Sequence, residues 1–141
     1  MLFRVKKLSP EAIIPKYANP TDAGMDIFSL ESVTLQPGER KNIKTGIAFA
    51  LPTNHVGLVW DKSSVPSKFG VHCMAGVIDE SYRGELQVVM INLGQAPHTF
   101  EKGQKIAQLL VQPITYSTIQ EVQELDETAR GRGGFGSTGT H

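Results

Sequence analysis

Two segments of the sequence set a carboxylate inside a turn, an arrangement that suits a general base. The segment 75–85, AGVIDESYRGE, places Asp79 and Tyr82 between two strand-like arms, and the segment 21–27, TDAGMDI, places a small-residue turn before Asp26. Taken alone, each segment is also typical of an ordinary turn, in which the carboxylate only caps backbone N–H groups. A carboxylate fixed beside water or a hydrated cation would instead accept a proton or order the metal's water shell.

Three further segments carry groups that bind phosphate. The segment 61–64, DKSS, offers an ammonium and two hydroxyls at the start of a predicted helix, and 103–108, GQKIAQ, is a turn that enters a strand. The last twelve residues, 130–141, hold five glycines, two arginines and one aromatic side chain, Phe135. Because this tail has almost no apolar surface to bury, we expect it to be disordered alone and to order around an anion.

The elements that position these groups are predicted to be short β-strands. Residues 43–51 alternate with a period of two, which predicts one half-buried strand. Branched and aromatic residues predict further strands at 33–35, 57–60, 85–92 and 106–112, with turns at 36–38 and 93–95. One short helix is expected at 64–69, with Ser63 as its N-cap. The pattern predicts an all-β sandwich, jelly roll or small barrel, whose open sheet edges an oligomer would cover.

Composition and charge narrow the class of protein. The chain has 141 residues, 40% of them hydrophobic, and a net charge of zero, which predicts one domain and no long-range attraction for nucleic acid or membranes. Cys73 is the only cysteine and is expected to be a buried thiol in a reducing compartment. The four histidines lack ligand spacing, so no zinc is expected. Without a membrane span or signal peptide, the sequence favours a cytoplasmic protein with a domain at 1–129 and a flexible segment at 130–141.

Together, the five segments resemble the five motifs of the trimeric dUTPase family, in the family's order and over nearly the whole chain. The first motif is similar to 23–26, AGMD, and the second to 62–64, KSS. The third is similar to 76–84, GVIDESYRG, the fourth to 103–108, and the fifth to the glycine-rich segment 130–139. The third and fifth are the most specific of these matches.

The resemblance implies a homotrimeric enzyme with a jelly-roll or β-clip-like fold. Its implied reaction is the hydrolysis of dUTP to dUMP and pyrophosphate, which limits uracil incorporation into DNA and supplies dUMP for dTTP synthesis. Asp79 matches the carboxylate that activates water for attack on the α-phosphorus. Mg²⁺ is the implied cofactor, held mainly by the phosphates and by waters, and Asp26 would meet it through water.

The resemblance also implies which residues hold the substrate. Uracil and deoxyribose would meet residues of the third motif, the strand after it and the tail: Gly76, Val77, Ile78, Tyr82, Gln87 and Phe135. The phosphates would meet cationic, hydroxyl and amide side chains of the other motifs: Lys62, Ser63, Ser64, Gln108, Arg130, Ser137 and Thr138. The tail would then act as a lid over a site shared between subunits.

Three positions depart from the family's pattern. Lys62 stands where the family usually has arginine, and Asp61 where proline is frequent, so a point charge replaces a two-pronged donor beside an added carboxylate. Cys73 stands where some relatives have asparagine near the uracil pocket.

Two other functions stay open on the sequence. One is a dCTP deaminase, which shares the β-rich trimeric fold, although its chains are longer and lack this hairpin and tail. The other is a non-catalytic nucleotide-binding protein on the same scaffold. A P-loop is excluded because Ser137 stands where its lysine would be and too few residues follow for a helix.

Overall fold

The structure, a computed structural model, describes residues 2–133, which contain eleven strands and one short helix. In chain order these are β1 (Arg4–Lys7), β2 (Met25–Phe28), β3 (Val33–Leu35), β4 (Arg40–Lys44), β5 (Ile47–Ala50), β6 (His55–Asp61), α1 (Ser64–Phe69), β7 (Val71–Met74), β8 (Val77–Ile78), β9 (Gln87–Asn92), β10 (His98–Phe100) and β11 (Lys105–Pro113). The prediction of an all-β fold with one short helix is therefore confirmed.

The strands form four antiparallel sheets around one core. A four-stranded sheet has the order β2-β11-β6-β8, a three-stranded sheet the order β4-β9-β7, and two pairs join β1 to β5 and β3 to β10. Alternate residues of β9 are buried, namely Val88, Met90 and Asn92, because side chains of a strand point to opposite faces. Ile27, Leu109 and other fully buried apolar side chains pack between the sheets. This core fixes the strands whose ends carry the polar motifs.

The helix lies at 64–69 as predicted, but Ser63 does not cap it with its side chain. The backbone of Ser63 is already helical, with φ −48° and ψ −34°, and its hydroxyl makes no capping hydrogen bond. A capping serine needs extended backbone to turn its oxygen towards the first N–H groups. The helix begins instead with a backbone turn, in which Val65 N–H donates to the Lys62 carbonyl over 2.8 Å.

The single strand predicted at 43–51 is wrong, because the chain breaks there into β4 and β5. Gly46 has a φ of +68°, which turns the chain out of the first sheet. Glu85 Oε1 accepts a hydrogen bond from Gly46 N–H at 2.8 Å, and Thr45 Oγ1 donates to the Leu86 carbonyl at 2.5 Å. The apolar period of two continues through the break, so the pattern alone does not reveal it.

The two arms of the 75–85 segment also differ from the simple hairpin that the sequence predicts. β8, the first arm, pairs with β6, whereas the second arm leads into β9, which pairs with β4 and β7. The arms therefore belong to different sheets and diverge beyond the turn. A cleft opens between them.

After β11, residues 114–133 contain no helix or strand and are mostly exposed. Within residues 2–133, no helix is long and apolar enough to cross a membrane. Three predicted site residues, Phe135, Ser137 and Thr138, lie outside the described residues, as does most of the predicted lid. The division of the chain at 129 stays a prediction.

Candidate active site

Asp79 lies at the mouth of the cleft between the diverging arms. The cleft has a volume of about 350 Å³. Val77 and Ile78 line one side of it, and Leu86 and Gln87 line the other. The structure thus brings together four of the residues predicted to hold the nucleoside, Val77, Ile78, Tyr82 and Gln87, with the predicted base.

The first arm is held by backbone contacts that require glycine. Gly76 has a φ of +100°, and Ala75 before it has a φ of +58°. A Cβ on Gly76 would lie 2.6 Å from the Val59 carbonyl oxygen. Val59 N–H in turn donates to the Gly76 carbonyl over 2.8 Å. This close approach presses the arm against β6 and sets the position of β8.

The turn at the tip is closed by hydrogen bonds to its own backbone carbonyls. Tyr82 N–H donates to the Asp79 carbonyl over 3.1 Å, and the Tyr82 hydroxyl donates to the Glu85 carbonyl over 3.0 Å. The Arg83 guanidinium donates to the carbonyls of Glu80 and Tyr82, at 2.6 and 2.8 Å. Within residues 2–133, no side chain forms a hydrogen bond or ion pair with the exposed Asp79 carboxylate. It is therefore available to water in the cleft.

A second group of polar residues lies on one face of the four-stranded sheet. Asp26 of β2 is directly opposite Gln108 of β11, which is in turn opposite Trp60 of β6. Residues opposite each other in antiparallel strands project from the same face, and so do residues two apart along one strand. Lys62 follows Trp60 by two positions and continues this face. Its ammonium group donates a hydrogen bond to Asp26 Oδ1.

A β-bulge brings Lys105 to the same face. The partner of Ala107 is Ile27, but the partner of Lys105 is Phe28, so one extra residue lies between them on β11. Without that shift, Lys105 would project from the face opposite Gln108, because successive side chains alternate. With the shift, Lys105 Nζ lies 2.6 Å from Asp26 Oδ2.

Asp26 is a buried carboxylate neutralised by two lysines. Its side chain is only 3% exposed, whereas those of Lys62 and Lys105 are 27% and 45% exposed. Burial raises the pKa of Asp26, but the hydrogen bonds and charges of Lys105 and Lys62 outweigh it and hold the pKa below its ordinary value. Oδ2 lies within ion-pair distance of Lys105 Nζ but accepts no well-aligned hydrogen bond from the described residues. The carboxylate is therefore ionised, and both its oxygens face cations.

Gln108 is fixed by the small residue of the first motif. A Cβ on Gly24 would lie 2.6 Å from Gln108 Oε1, so only glycine leaves room for this amide. Gln108 Nε2 donates to the Asp61 carbonyl over 2.7 Å, which ties β11 to the end of β6. Gly24 and Gln108 thus explain by packing why a small-residue turn precedes Asp26.

The Asp61 carboxylate contacts β7 rather than Lys62. Its Oδ1 accepts a hydrogen bond from Cys73 N–H at 2.7 Å, and its Oδ2 lies 2.6 Å from His72 Nδ1. The side chain joins the end of β6 to β7, a structural contact that the sequence does not predict. Cys73 is buried as predicted, and burial together with Asp61 raises the pKa of its thiol.

The residues around Asp79 and the residues around Asp26 do not lie together within one chain. Ile78 is paired with Gly57, near the start of β6, while Lys62 follows the end of that strand. Asp79 and Lys62 are therefore separated by nearly the whole of β6, about 20 Å at ~3.3 Å per residue. Ser63 and Ser64 lie beside Lys62 and are exposed. Arg130 is exposed in a turn, where its Nε donates to the Gly133 carbonyl over 3.0 Å.

The residues around Asp26 do not fit a divalent metal in this arrangement. Hard cations prefer several oxygen ligands, but the residues 2–133 contain no cluster of three or more metal-binding side chains. The one buried carboxylate is already paired with two ammonium groups, which would repel a second cation beside it.

Comparison with known proteins identifies the family of the chain. A family model described as dUTPase matches residues 10–139, which include all five segments. The chain belongs to the dUTPase family. It is 51% identical over 138 residues to the deoxyuridine 5'-triphosphate nucleotidohydrolase of Clostridium kluyveri, with 96% of each chain covered.

Two solved dUTPase structures extend the comparison. The dUTPase of Staphylococcus bacteriophage 80alpha with dUpNHpp has a TM-score of 0.92 and 34% identity, with 98% of each chain covered. A variant dUTPase from phage phi11 of S. aureus, described for its structural Mg(II) ion, has a TM-score of 0.84 and 30% identity, covering 90% of this chain and all of the other. The family, its fold and its class of enzyme are thereby established for this chain.

Two residues that contact the candidate site have no role predicted from the sequence. Lys105 was included in the fourth motif but given no role, because only a bulge turns it towards Asp26. Glu85 was placed in a strand-like arm, yet its carboxylate ties the break between β4 and β5 to the wall of the cleft. A cation directly after a turn was the only sequence signal for Lys105.

Proposed function

We propose that this protein hydrolyses dUTP to dUMP and pyrophosphate, with Asp79 as the general base. The observation that carries this proposal is the position of Asp79, an exposed carboxylate without a side-chain partner among residues 2–133, at the mouth of a cleft of nucleoside size. Membership of the dUTPase family supplies the substrate.

In the proposed reaction, the Asp79 carboxylate binds the water that acts as the nucleophile. Asp79 accepts a proton from that water while the oxygen of the water attacks the α-phosphorus. The bond between the α-phosphorus and the oxygen that bridges to the β-phosphorus breaks, and pyrophosphate leaves with that oxygen. The water oxygen becomes part of the dUMP phosphate, and Asp79 then releases its proton to solvent. Positioning and charge stabilisation supply most of the rate, as in other phosphoryl transfers.

The cleft is proposed to select uracil and deoxyribose. Backbone groups of Gly76, Val77 and Ile78, with Gln87 opposite, would bind the edge of uracil and leave no room for a thymine methyl group. Tyr82, fixed by its hydrogen bond to the Glu85 carbonyl, would lie where a 2′-hydroxyl would clash. Rejection by clash and by unpaired polar groups discriminates more strongly than apolar packing does.

The phosphates are proposed to bind the face that carries Asp26. Lys62 and Gln108 lie there, next to the exposed Ser63 and Ser64. Residues of the C-terminal segment would complete the site when it closes as a lid: Arg130, Phe135, Ser137 and Thr138. Phe135 would stack on uracil, and the closed lid would exclude water.

Mg²⁺ is proposed to arrive with the nucleotide as MgdUTP. The family resemblance implies water-mediated contact between Asp26 and this ion, and a relative's structure is described for a Mg(II) ion. Since both carboxylate oxygens of Asp26 already interact with lysines, the phosphates of the nucleotide are the better ligands for Mg²⁺. The ion would neutralise phosphate charge, while the residues of this chain bind and orient the substrate.

The separation of the two groups supports a homotrimer with shared active sites. Asp79 must reach the α-phosphorus while Lys62 holds the neighbouring phosphates, and two P–O–P linkages cannot span about 20 Å of strand. The cleft of one subunit and the phosphate face of another would make one complete site. A jelly-roll or β-clip-like trimer acting in the cytoplasm, to limit uracil in DNA and supply dUMP, is the assembly that we propose.

The test is incubation of the purified protein with Mg²⁺ and, separately, dUTP, dCTP, dTTP and UTP, followed by separation of the products. We expect dUMP and pyrophosphate from dUTP alone. A deaminated product from dCTP would favour a dCTP deaminase, and no turnover of any nucleotide would favour a non-catalytic binding protein. Either of these outcomes would overturn the proposal.

A further inference from the structure

The three charged side chains on the phosphate face form a compact group, which we call the Asp26 cluster: Asp26, Lys62 and Lys105. We propose that Lys105 is a second phosphate-binding lysine, and that Asp26 is the positioning residue that holds Lys62 and Lys105 side by side for the triphosphate. This inference rests on the proposed function and adds a binding residue to it.

The charge and exposure of the cluster suit an anion. One carboxylate and two ammonium groups leave one net positive charge. The carboxylate is buried, whereas both lysine side chains are partly exposed. Each ammonium has three donors, so both keep N–H groups free to bind after one is turned towards Asp26. An approaching phosphate therefore meets the two cations before it meets the carboxylate.

Lys105 reaches this face only because the regular pairing of β11 with β2 is interrupted, and an ordinary surface lysine does not require such an interruption. A regular β11 would project Lys105 from the other face, and the bulge between Lys105 and Ala107 gives up regular pairing with β2 to reverse it. Lys62 already pairs with the buried Asp26, so neutralising that carboxylate is a weak reason for redirecting a second lysine towards it. Bulges next to functional sites commonly redirect one side chain in this way.

A second lysine would also compensate for the lysine at position 62, where the family usually has arginine. Arginine holds two phosphate oxygens with one planar fork, whereas one lysine offers a single compact charge. Two ammonium groups held by one carboxylate supply two separate charged donors on the same face. Asp26 keeps them close despite their mutual repulsion, because each interacts with a different oxygen of it.

The experiment compares Lys105→Gln with Lys102→Gln in the full-length protein, measuring the dissociation constants of dUpNHpp and dUMP by calorimetry. Lys102 is a matched control, three residues away and paired with Glu11. We expect Lys105→Gln to weaken dUpNHpp binding about tenfold or more, the loss of one charge-assisted contact, and to leave dUMP binding within about twofold. Lys105→Arg should restore most of the dUpNHpp affinity, and Lys102→Gln should change neither constant.

Equal weakening of both ligands by Lys105→Gln, or no weakening of either, would overturn the inference, because a merely structural lysine does not distinguish three phosphates from one. If Lys105→Gln unfolds because the buried Asp26 carboxylate has lost one of its two cations, the double variant Asp26→Asn/Lys105→Gln is compared with Asp26→Asn. Neither of these two variants carries the buried charge. A loss of dUpNHpp affinity that spares dUMP is expected there, smaller than in the presence of Asp26 because Lys105 is no longer held in place, and the absence of any such loss would also overturn the inference. Failure of the unaltered protein to bind dUpNHpp would instead contradict the proposed function.

Discussion

The cleft at Asp79 and the Asp26 cluster are built by opposite means. The cleft depends mainly on backbone: two residues with positive φ, a carbonyl close to Gly76, and a turn closed by hydrogen bonds to its own carbonyls. The cluster depends on side-chain charge: a buried carboxylate and two lysines from separate segments. A backbone-built cleft keeps its shape when pH or salt changes, whereas ion pairs respond to both. Shape selection and phosphate binding are thereby assigned to different parts of the fold.

The largest expected effect is the loss of the base in the cleft. Asp79→Asn keeps the shape of the side chain but removes its ability to accept a proton, so turnover of dUTP should fall about 10²- to 10⁴-fold. Binding of dUpNHpp should stay within a few-fold. Glu80→Gln is the control, because Glu80 Oε2 accepts a hydrogen bond from Asn54 N–H, 2.7 Å away, outside the cleft. Steady-state kinetics of the two variants would show whether Asp79 acts in the chemical step, and undiminished turnover in Asp79→Asn would remove it.

The next effect tests the backbone side of the comparison. Gly76→Ala should destabilise the fold by about 3 kcal/mol or more, because the added Cβ meets the Val59 carbonyl and φ is positive. Gly38→Ala is the control, since Gly38 also has a positive φ but its Cβ would meet nothing within 4 Å. That variant should lose only about 1 kcal/mol. Urea unfolding measures both, and equal losses would show that the contact with β6 does not hold the arm.

The charged side of the comparison predicts a smaller and pH-dependent effect. Asp26→Asn leaves two lysines without their counter-ion and should cost about 1–3 kcal/mol at pH 7, since the lysines can still reach water. The folded-state pKa of Asp26 lies below its ordinary value of 3.8, so its stabilising contribution is present above pH 3.8 and is lost as pH falls through the folded-state value.

The free energy of unfolding of Asp26→Asn and of the unaltered protein should therefore converge at the acid end of a series from pH 7 to pH 3. Glu39→Gln removes a partner from the exposed pair with Lys41 and should give no comparable convergence. A difference between Asp26→Asn and the unaltered protein that is constant across the series would show that packing, not charge, explains the role of Asp26.

The smallest effect comes from a partly buried histidine away from both regions. His98 stacks on Phe69 with ring centroids 4.3 Å apart, and its Nε2 is buried without a partner among residues 2–133. Burial lowers the pKa of His98 below 6.5, so the unfolded chain binds the proton more readily and stability falls as pH drops below 6.5. His98→Phe keeps the stack and should lose that part of the pH dependence, amounting to less than about 1 kcal/mol. Unchanged pH dependence in thermal unfolding between pH 7 and pH 5 would argue against this assignment.

Much of the architecture could be predicted from the sequence because local chemistry decides it. Branched residues and turns predicted the strands at 33–35 and 85–92 to within two residues, and the helix at 64–69 without error. The break at Gly46 was missed because the apolar period continues through it, and contacts with Glu85 and Leu86, about 40 residues later, stabilise the turn.

The candidate site divides in the same way. Four of the six residues predicted to hold the nucleoside, Val77, Ile78, Tyr82 and Gln87, lie together, since they are close in sequence and one turn positions them. Lys105 was missed because its direction depends on a bulge, and a bulge follows from pairing between β11 and β2 rather than from local pattern. The role predicted for Asp26 did not anticipate two lysines from distant segments meeting one carboxylate.

The central claim is that one active site takes its cleft and its phosphate face from different subunits. The most direct test is to co-refold Asp79→Asn with the Lys62→Gln/Gln108→Ala double variant, each with little turnover alone, and to measure dUTP hydrolysis. A random equal mixture should recover about one quarter of the unaltered activity, since half of the clefts and half of the phosphate faces are intact and pair independently. Activity no higher than the average of the two separate variants would mean that each site belongs to a single chain.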